Sequence, residues 1–414
     1  MDILHPCCAG LDVHKDTVVA CVRRLRPDHK ASAQQTCTYP TTTSALGRLA
    51  DWLAAEGVTH VAMESTGVYW RPVWNLLEGR FTVLLVNARH IKQVPGRKTD
   101  VKDSAWIAQL LQHGLLRGSF VPPAVQRELR ELTRQRRQVV QGRTAVANRV
   151  QKVLEDANIK LAGVATDILG VSGRAMLEAL VAGRADAAAL AELARGRLRA
   201  KIPALREALH GRVTDHHRFL LRALLDQVDQ HEAQAERLSR RIDVTLPPAY
   251  REARARLCTI PGVQEHIAEC VLAEVGVNMA VFPTAGHLAS WAGLCPGLKE
   301  SAGKRQSGRA RHGNRWLRTI LVQAAWAASH TKDTYLAAQF HRLVGRRGKK
   351  RALLAVAHTQ LVIVYHLLAE GTTYRELGAG YFDRLDADRA ARKLVYRLEQ
   401  LGHKVTLAPR DPGA

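Results

Sequence analysis

The chain has 414 residues, in which 61 Lys and Arg outnumber 38 Asp and Glu, so its formal net charge is +23. This length exceeds one ordinary core and predicts two or three domains of roughly 100–200 residues each. The apolar fraction of 46% excludes general disorder. Such a positive excess on a folded chain predicts a polyanionic partner, with nucleic acid as the first hypothesis and charge kept for solubility as the alternative.

Cysteine usage and hydropathy indicate a soluble, cytoplasmic and reduced protein. The seven cysteines form no C-x-x-C pair, and the N-terminus lacks the charged and apolar regions of a signal peptide. We therefore expect neither a disulfide framework nor a zinc site. Residues 352–369 lack full charges over enough length to resemble a membrane span, but they contain His358, Gln360 and His366, which favours a buried core helix.

Residues 1–121 are predicted to form an α/β domain. The expected strands are 10–13, 17–22, 35–39, 58–63 and 81–86, and the expected helices are 43–55, 69–77 and 101–113. The first two strands are rich in β-branched residues and are joined by a short link that suits a hairpin. Three strands followed by helix, strand, helix, strand and helix match the order of the ribonuclease-H-like fold, to which RuvC-like domains belong.

Residues 122–246, which follow Pro122-Pro123, are predicted to form a helical arm. Apolar residues recur at steps of three and four over 125–153 and 221–242, provided that Arg136 and Arg143 occupy two seam positions. Two long helices with short helices between them indicate an antiparallel coiled-coil arm. Because arginine in a seam weakens a simple dimer zipper, these faces are also candidates for contacts with nucleic acid or another subunit, or for plain solvation.

A mainly helical domain is predicted over 247–385, after Pro247-Pro248, followed by a C-terminal helix and tail over 386–414. The I-P-G-V segment at 260–263 precedes a helix at 265–275 and resembles a helix–hairpin–helix element. In such an element, a glycine turn presents backbone N–H groups at a helix N-terminus to a phosphate. An ordinary turn before a helix is the alternative.

Four carboxylates form an acidic set inside this basic chain. Asp12 lies in the first strand, Glu64 follows the strand 58–63, and Asp100 and Asp103 begin a helix one turn apart. Strand carboxyl ends are where α/β proteins usually build their sites. Oxygen ligands suit Mg²⁺, and two ions ~4 Å apart can stabilise both the attacking and the leaving oxygen in phosphoryl transfer. Alternatively, the two aspartates stabilise the N-terminus of their helix by interacting with the helix dipole, and Glu64 is a surface acid.

These motifs resemble those of the insertion-sequence-110 family of transposases. The segments similar to that family's DEDD domain are GLDVHKDT (10–17), MESTGVYW (63–70) and RKTDVKDSAW (97–106). The segments similar to its second transposase domain are IPGV (260–263), WAGLCPGLKES (291–301) and HGNRWLR (312–318). The resemblance covers both ends of the chain in order. The arm is similar only in character, and 160–205 is extra length over compact members.

The resemblance implies a RuvC-like nuclease fold in which Asp12, Glu64, Asp100 and Asp103 bind Mg²⁺, with two ions expected. It also implies a nucleophilic serine, which matches Ser301. In such enzymes the serine attacks a DNA phosphate and holds the cut end as a phosphoserine ester, so strands are rejoined without a high-energy cofactor.

Further implications concern partners and location. The family's recombinases use a structured noncoding guide RNA, called bridge RNA, which pairs with donor and target DNA. They assemble as dimers and tetramers, with the serine of one subunit meeting the acidic site of another. A prokaryotic cytoplasmic protein associated with the nucleoid is therefore expected.

Ser301 competes with Ser307 for the nucleophile's role, and the spacing from Gly293-Leu294 favours Ser301. A polar turn residue is the structural alternative. Cations near it that suit phosphate are Lys304, Arg305, Arg309, Arg311, Arg315 and Arg318. Since no histidine is clearly placed as a base, activation by metal or by these cations is the simpler hypothesis.

A second basic cluster predicts a loop and helix start that track a nucleic-acid backbone. Its members are Arg342, Arg346, Arg347, Lys349, Lys350 and Arg351. Neutralisation of the C-terminal surface is the alternative.

For the whole chain, the leading hypothesis is a site-specific DNA recombinase. The alternatives are a hydrolytic RuvC-like nuclease, such as a Holliday-junction resolvase, and a non-catalytic nucleic-acid-binding protein.

Overall fold

The computed structural model describes residues 3–26, 32–64, 67–87, 103–184, 186–297, 299–301, 304–307, 310 and 312–407. The chain divides into two compact units, Met1–Pro122 and Pro123–Ala414. The mixed α/β fold of the first unit and the many helices of the second confirm the predicted fold class at this level. The boundaries at 247 and 386 are internal to the second unit and stay predictions.

The first unit is built on a mixed sheet that has six strands within the described residues. The strands are β1 Cys7–Val13, β2 Thr17–Leu25, β3 Ser32–Pro40, β4 His60–Glu64, β5 Thr82–Val86 and β6 Gly118–Ser119, and the helices are α1 Thr43–Ala55, α2 Trp70–Leu77 and α3 Asp103–Gln112. The spatial order of the strands is β3-β2-β1-β4-β5-β6.

The strand directions follow from the connections. β1, β2 and β3 form an antiparallel meander, and the predicted hairpin is present with Val13 paired to Val18. α1 and α2 carry the chain back across the sheet, so β4 runs parallel to β1 and β5 parallel to β4. The antiparallel edge strand β6 was not predicted, because two residues carry no readable periodicity.

The two faces of this sheet are covered by different helices. Because side chains alternate along a strand, Leu11 and Val13 of β1 face α1 and α2, whereas Cys8 faces α3. On the α3 side the core also contains Ala62 of β4 and Ile107 of the helix. The acidic residues of the candidate site that the structure describes lie on this α3 side of the sheet.

The second unit is mainly helical. Its helices are α4 Ala124–Asp156, α5 Leu161–Val164, α6 Val171–Val181, α7 Ala187–Ala191, α8 Ile202–Ala208, α9 Asp215–Thr245, α10 Pro248–Leu257, α11 Glu265–Val275, α12 Ala285–Trp291, α13 Arg315–Ser329, α14 Tyr335–Arg347, α15 Lys349–Glu370, α16 Tyr381–Leu385 and α17 Ala387–Gln400. A short hairpin of β7 Lys299–Ser301 and β8 Lys304–Ser307 lies between α12 and α13.

The long helices α4 and α9 pack antiparallel. Arg143 Nε donates to Glu232 Oε1 at 2.7 Å, and Arg149 Nη2 donates to Gln227 Oε1 at 2.9 Å, so residue numbers rise on one helix as they fall on the other. Between them, α5 to α8 close a separate hydrophobic core on the far ends of both helices, with Met176 fully buried at its centre.

The buried stripe of α4 departs from the predicted one. Gln126 is buried where Val125 was expected, and Val125 is exposed. The reason is a second neighbour: the first half of α4 packs on α11 as well as on α9, and Gln126 Nε2 donates to the carbonyl of Ala273 at 3.3 Å. Arg136, one of the two arginines predicted in the seam, is 4% exposed; the coiled-coil arm itself stays a prediction.

The apolar segment near the C-terminus is α15. By length and composition this helix could cross a membrane. Val356, Leu361 and Val364 are buried in the core that α15 shares with α13, which supports the interpretation of a core helix.

Candidate active site and nucleic-acid interface

Asp12 and Glu64 lie on neighbouring parallel strands. Leu11 of β1 pairs with Met63 of β4, so the next residue of each strand falls at the same edge of the sheet. By strand alternation Asp12 lies on the face of Gly10, and Glu64 lies on the face of Ala62, which is the face that α3 covers. Both acids are partly exposed.

Gly10 permits the close approach of α3 to this edge. A Cβ atom at Gly10 would lie 2.3 Å from the nitrogen of Ala108 and 2.3 Å from the carbonyl oxygen of Ser104. Any side chain would push the helix away from β1. The helix begins at the exposed Asp103, next to Ser104, so the same contact fixes the start of α3 against the face that bears Asp12.

Two predicted metal ligands therefore lie on one face and at one edge of the sheet, and the third, Asp103, begins the helix that covers this face. The fourth, Asp100, lies outside the described residues. Among the residues with described positions, no three His, Cys, Asp or Glu side chains approach closely enough to hold a metal ion. Carboxylate oxygens are nevertheless the donors that a hard divalent cation takes, so the chemistry of the set fits Mg²⁺.

His14 is a neighbour of this edge that the sequence analysis did not single out. Its Nε2 lies 3.1 Å from Asp12 Oδ2, and the ring is mostly exposed. With a proton on Nε2 the ring donates to the carboxylate. The spacing of two residues across the end of β1 was the signal that could have indicated this contact.

Ser301 ends the first strand of the short hairpin. Its backbone pairs with Lys304, and Glu300 pairs with Arg305, so only residues 302–303 separate the two strands. Ser307 lies at the opposite end of β8, paired with Lys299. The two candidate serines thus occupy the tip and the base of one hairpin. Arg309 and Arg311 lie outside the described residues.

The first turn of α13 carries Arg315 and Arg318, and its start is fixed by capping. Asn314 Oδ1 accepts from the backbone nitrogens of Trp316 and Leu317 at 3.0 and 3.1 Å, while its Nδ2 donates to Glu274 Oε2 at 2.6 Å.

The residue before this cap is a glycine in close backbone contact. A Cβ at Gly313 would lie 2.3 Å from the nitrogen of Gly293. The H-G-N and W-A-G-L motifs therefore pack backbone against backbone.

Close packing also explains the glycine of the I-P-G-V turn. Gly262 has φ +81°, and a Cβ there would lie 2.4 Å from the carbonyl oxygen of Ala324 in α13. The turn is thus seated on α13 and leads into α11. Its binding of phosphate as a helix–hairpin–helix element stays a prediction.

The second basic cluster spans the end of α14 and the start of α15. Lys349 Nζ lies 4.2 Å from the ring centre of Trp326, and the Arg342 guanidinium lies 5.2 Å from that of Phe382. Arg346, Arg347 and Lys350 are exposed and, within the described part of the chain, no carboxylate pairs with them. This surface has the charge that a nucleic-acid backbone requires.

A sheet of this order, with carboxylates at the ends of two adjacent parallel strands, is consistent with a ribonuclease-H-like DEDD domain. The DEDD family model described as "Transposase", built for IS110 elements, matches residues 9–159. The model described as "Transposase IS116/IS110/IS902 family" matches residues 254–342. The chain belongs to the IS110 family of transposases, which are enzymes that act on DNA.

Individual relatives agree with this assignment. The "Probable family 20 transposase" of Pseudomonas aeruginosa is 28% identical over 322 residues, which are 76% of this chain and 85% of the relative. The "Transposase for insertion sequence element IS1111A" of Coxiella burnetii is 25% identical over 70% of this chain and 72% of its own length. The "Insertion element IS110 uncharacterized 43.6 kDa protein" of Streptomyces coelicolor is 36% identical, over 28% of this chain and 29% of the relative.

Proposed function

We propose that this chain is the recombinase of an insertion sequence, which cleaves and exchanges DNA strands through a covalent phosphoserine intermediate. The observation that supports this best is the packing of α3 on Gly10, which brings the helix that begins at Asp103 onto the face of the sheet that bears Asp12 and Glu64. The cytoplasm of a bacterium, with access to the nucleoid, is the compartment where such an enzyme would work.

The carboxylates would hold the metal. Asp12, Glu64, Asp100 and Asp103 are the ligands that we assign to two Mg²⁺ ions. Bound divalent cations stabilise the negative charge that develops on phosphate oxygens. His14, hydrogen-bonded to Asp12, would restrict the rotation of that carboxylate.

Ser301 would act as the nucleophile. Its Oγ forms a bond to a DNA phosphorus, one backbone P–O ester bond breaks, and the departing sugar oxygen takes up a proton. The reverse attack by a different sugar hydroxyl rejoins the strands and releases the serine. Lys304 and Arg305, on the strand paired with Ser301, are the cations that we assign to the phosphate, together with Arg315 and Arg318.

The partners follow from the same proposal. Donor DNA, target DNA and a structured guide RNA of the element would be the nucleic acids. Homodimers that pair into a tetramer would bring the serine of one subunit to the acidic edge of another. The antiparallel pair of α4 and α9 would then serve as a coiled-coil arm between subunits or along the RNA.

A cleavage assay with matched variants tests the proposal. Purified protein, a Mg²⁺ salt, the candidate guide RNA and labelled DNA ends are combined with the wild type, Asp12→Asn, Ser301→Ala and, as the control, Ser307→Ala. The proposal predicts cleavage and a protein–DNA adduct for the wild type and Ser307→Ala, and neither for the other two. Cleavage retained by Ser301→Ala would favour a hydrolytic nuclease, and an inactive wild type would favour a binding protein.

A further inference from the structure

A cavity of about 230 Å³ lies in the second unit between α4, α11 and α13. Arg134 and Arg137 of α4 line it together with Trp316 of α13 and Glu274 of α11. Gln141, Thr144 and Gln323 also line it. Charged, aromatic and amide groups therefore meet in one small space, and none of them belongs to the acidic edge or to the hairpin.

The positive charge of this cavity is only partly neutralised. Arg134 makes two hydrogen bonds to the carboxylate of Glu274, at 2.8 and 2.9 Å. Over the described residues, Arg137 has no carboxylate within ion-pair distance, and its guanidinium lies 5.1 Å from the ring centre of Trp316. The guanidinium of Arg315, the neighbour of Trp316 in the chain, likewise lies 5.3 Å from that ring centre.

Contact with an indole ring holds a guanidinium in place but does not cancel its charge. A cation over an aromatic face is attracted by the ring's quadrupole and keeps its N–H donors for another ligand. The imidazole of His266, also in the wall, brings no compensating or added charge at neutral pH. Burial, with help from Arg136 and Arg137, lowers the pKa of His266 to about 4. The cavity therefore keeps a positive charge, and an anionic ligand would complement it.

The volume of the cavity and its lining residues restrict the class of ligand further. Clefts for drug-sized ligands measure roughly 300–1,000 Å³, so this one accommodates a smaller group. It is larger than a lone phosphate needs, and its walls offer apolar surface from Val140 and Ile320 beside the amides of Gln141 and Gln323. Amides carry both donors and acceptors, which is what the edge of a nucleobase pairs with.

We infer that this cavity binds a single unpaired nucleotide of the DNA strand, with Arg137 on its phosphate and Gln141 and Gln323 facing its base. The inference rests on the proposed function in one respect, which is that DNA is the substrate. It adds a recognition site for a base outside the duplex, as strand exchange produces when paired strands separate. Such a site gives the enzyme a preference for distorted over intact DNA.

Binding of three matched duplexes tests this inference. One labelled DNA duplex carries a single unpaired nucleotide, the second carries an abasic residue at that position, and the third is fully paired. Affinities are measured by fluorescence anisotropy with the full-length wild type. We expect about tenfold tighter binding of the unpaired nucleotide than of either other duplex, which corresponds to about 1.4 kcal/mol.

The variants assign the preference to the cavity. Arg137→Gln and Gln323→Leu should each reduce the ratio to about threefold or less. Arg149→Gln, on the same helix but outside the cavity, should leave the ratio unchanged. Thermal unfolding of each variant verifies that it is folded, and Gln323→Leu, at an exposed position, guards against a fold defect in Arg137→Gln.

The outcomes separate this inference from the proposed function. Tight but equal binding of all three duplexes would overturn the inference and leave the transposase assignment intact. A preference equal for the unpaired and abasic duplexes, or unaffected by both cavity variants, would also overturn it. The same three duplexes made of RNA are measured alongside. A preference shown only by the RNA duplexes would replace DNA by RNA as the occupant and so contradict the inference as stated. If the wild type bound none of the DNA duplexes, the proposed function itself would be contradicted.

Discussion

Glycine residues determine the geometry of both candidate sites, because the absence of a side chain lets two segments of backbone come into contact. Gly10 has no side chain, so α3 reaches the backbone of β1 and places Asp103 on the side of the sheet that bears Asp12. Gly313 and Gly262 do the same for the segments around α13. Each glycine stands inside a motif that is similar to the family's, and close packing explains its presence, together with the positive φ in the case of Gly262.

The first prediction concerns Gly10→Ala. The added methyl group would meet two backbone atoms at 2.3 Å, so α3 must move, and overpacking of this kind costs about 1–3 kcal/mol. We expect a lower free energy of unfolding in urea and the loss of DNA cleavage, although no carboxylate is changed.

Gly47→Ala is the matched control for that prediction. Gly47 lies within α1, and a Cβ there has no atom within 4 Å. This substitution should stabilise the protein by about 0.5–1 kcal/mol, because alanine loses less conformational entropy in a helix. Equal stability of the two variants would show that the close contact of α3 with β1 is not as described.

At the scale of helices, buried charge determines how α4 meets its neighbours. Arg136 Nη2 donates to Glu269 Oε2 of α11 at 2.8 Å, and Arg254 of α10 donates to the other oxygen of that carboxylate at 2.9 Å. Both Arg136 and Glu269 are about as buried as core residues. The arginine in the seam therefore contacts the protein's own acid, and the alternative of a nucleic-acid contact is wrong for this residue.

The second prediction follows from that ion pair. Arg136→Met should lower the free energy of unfolding by about 3 kcal/mol, because it leaves a buried carboxylate with one cation fewer. Combining it with Glu269→Gln should recover part of the loss. Arg240→Met removes an exposed pair with Glu236 and should change stability by no more than about 0.5 kcal/mol. A full loss retained in the double variant would mean that packing, and not charge, determines the effect.

Elements that depend on local pattern could be predicted from sequence, and those that depend on a distant neighbour could not. α1 begins and ends at the predicted residues, because its apolar spacing is regular. The stripe of α4 is displaced because α11 packs on it, and no periodicity within α4 carries that information. For the same reason the edge with Asp12 and Glu64 was predictable from strand ends, whereas the cavity at Arg137 and Trp316 needed the contact of separate helices.

At the scale of the whole molecule, the charge of +23 sets how the protein meets nucleic acid. Each phosphate contact releases counterions, so the logarithm of the affinity falls linearly with the logarithm of the salt concentration, by about 0.9 per contact. The acidic edge is the local exception, because its carboxylates repel phosphates.

The third prediction assigns part of that salt dependence to the second basic cluster. Changing Arg346, Arg347 and Lys350 together to glutamine should reduce the salt slope of duplex binding by about 3, with little effect on sequence preference. Arg240→Gln, on the exposed side of α9, is the control and should leave the slope as it is. An unchanged slope in the triple variant would return this cluster to the interpretation of surface neutralisation.

The covalent bond between protein and DNA can be mapped directly, which tests whether a serine is the nucleophile. Wild-type protein is reacted with labelled DNA ends in Mg²⁺, digested with protease and nuclease, and examined by mass spectrometry. A phosphoserine mechanism predicts a phosphate-linked nucleotide on the peptide that contains Ser301, carried by its Oγ. Attachment at Ser307, or efficient cleavage with no protein-linked nucleotide at all, would contradict it.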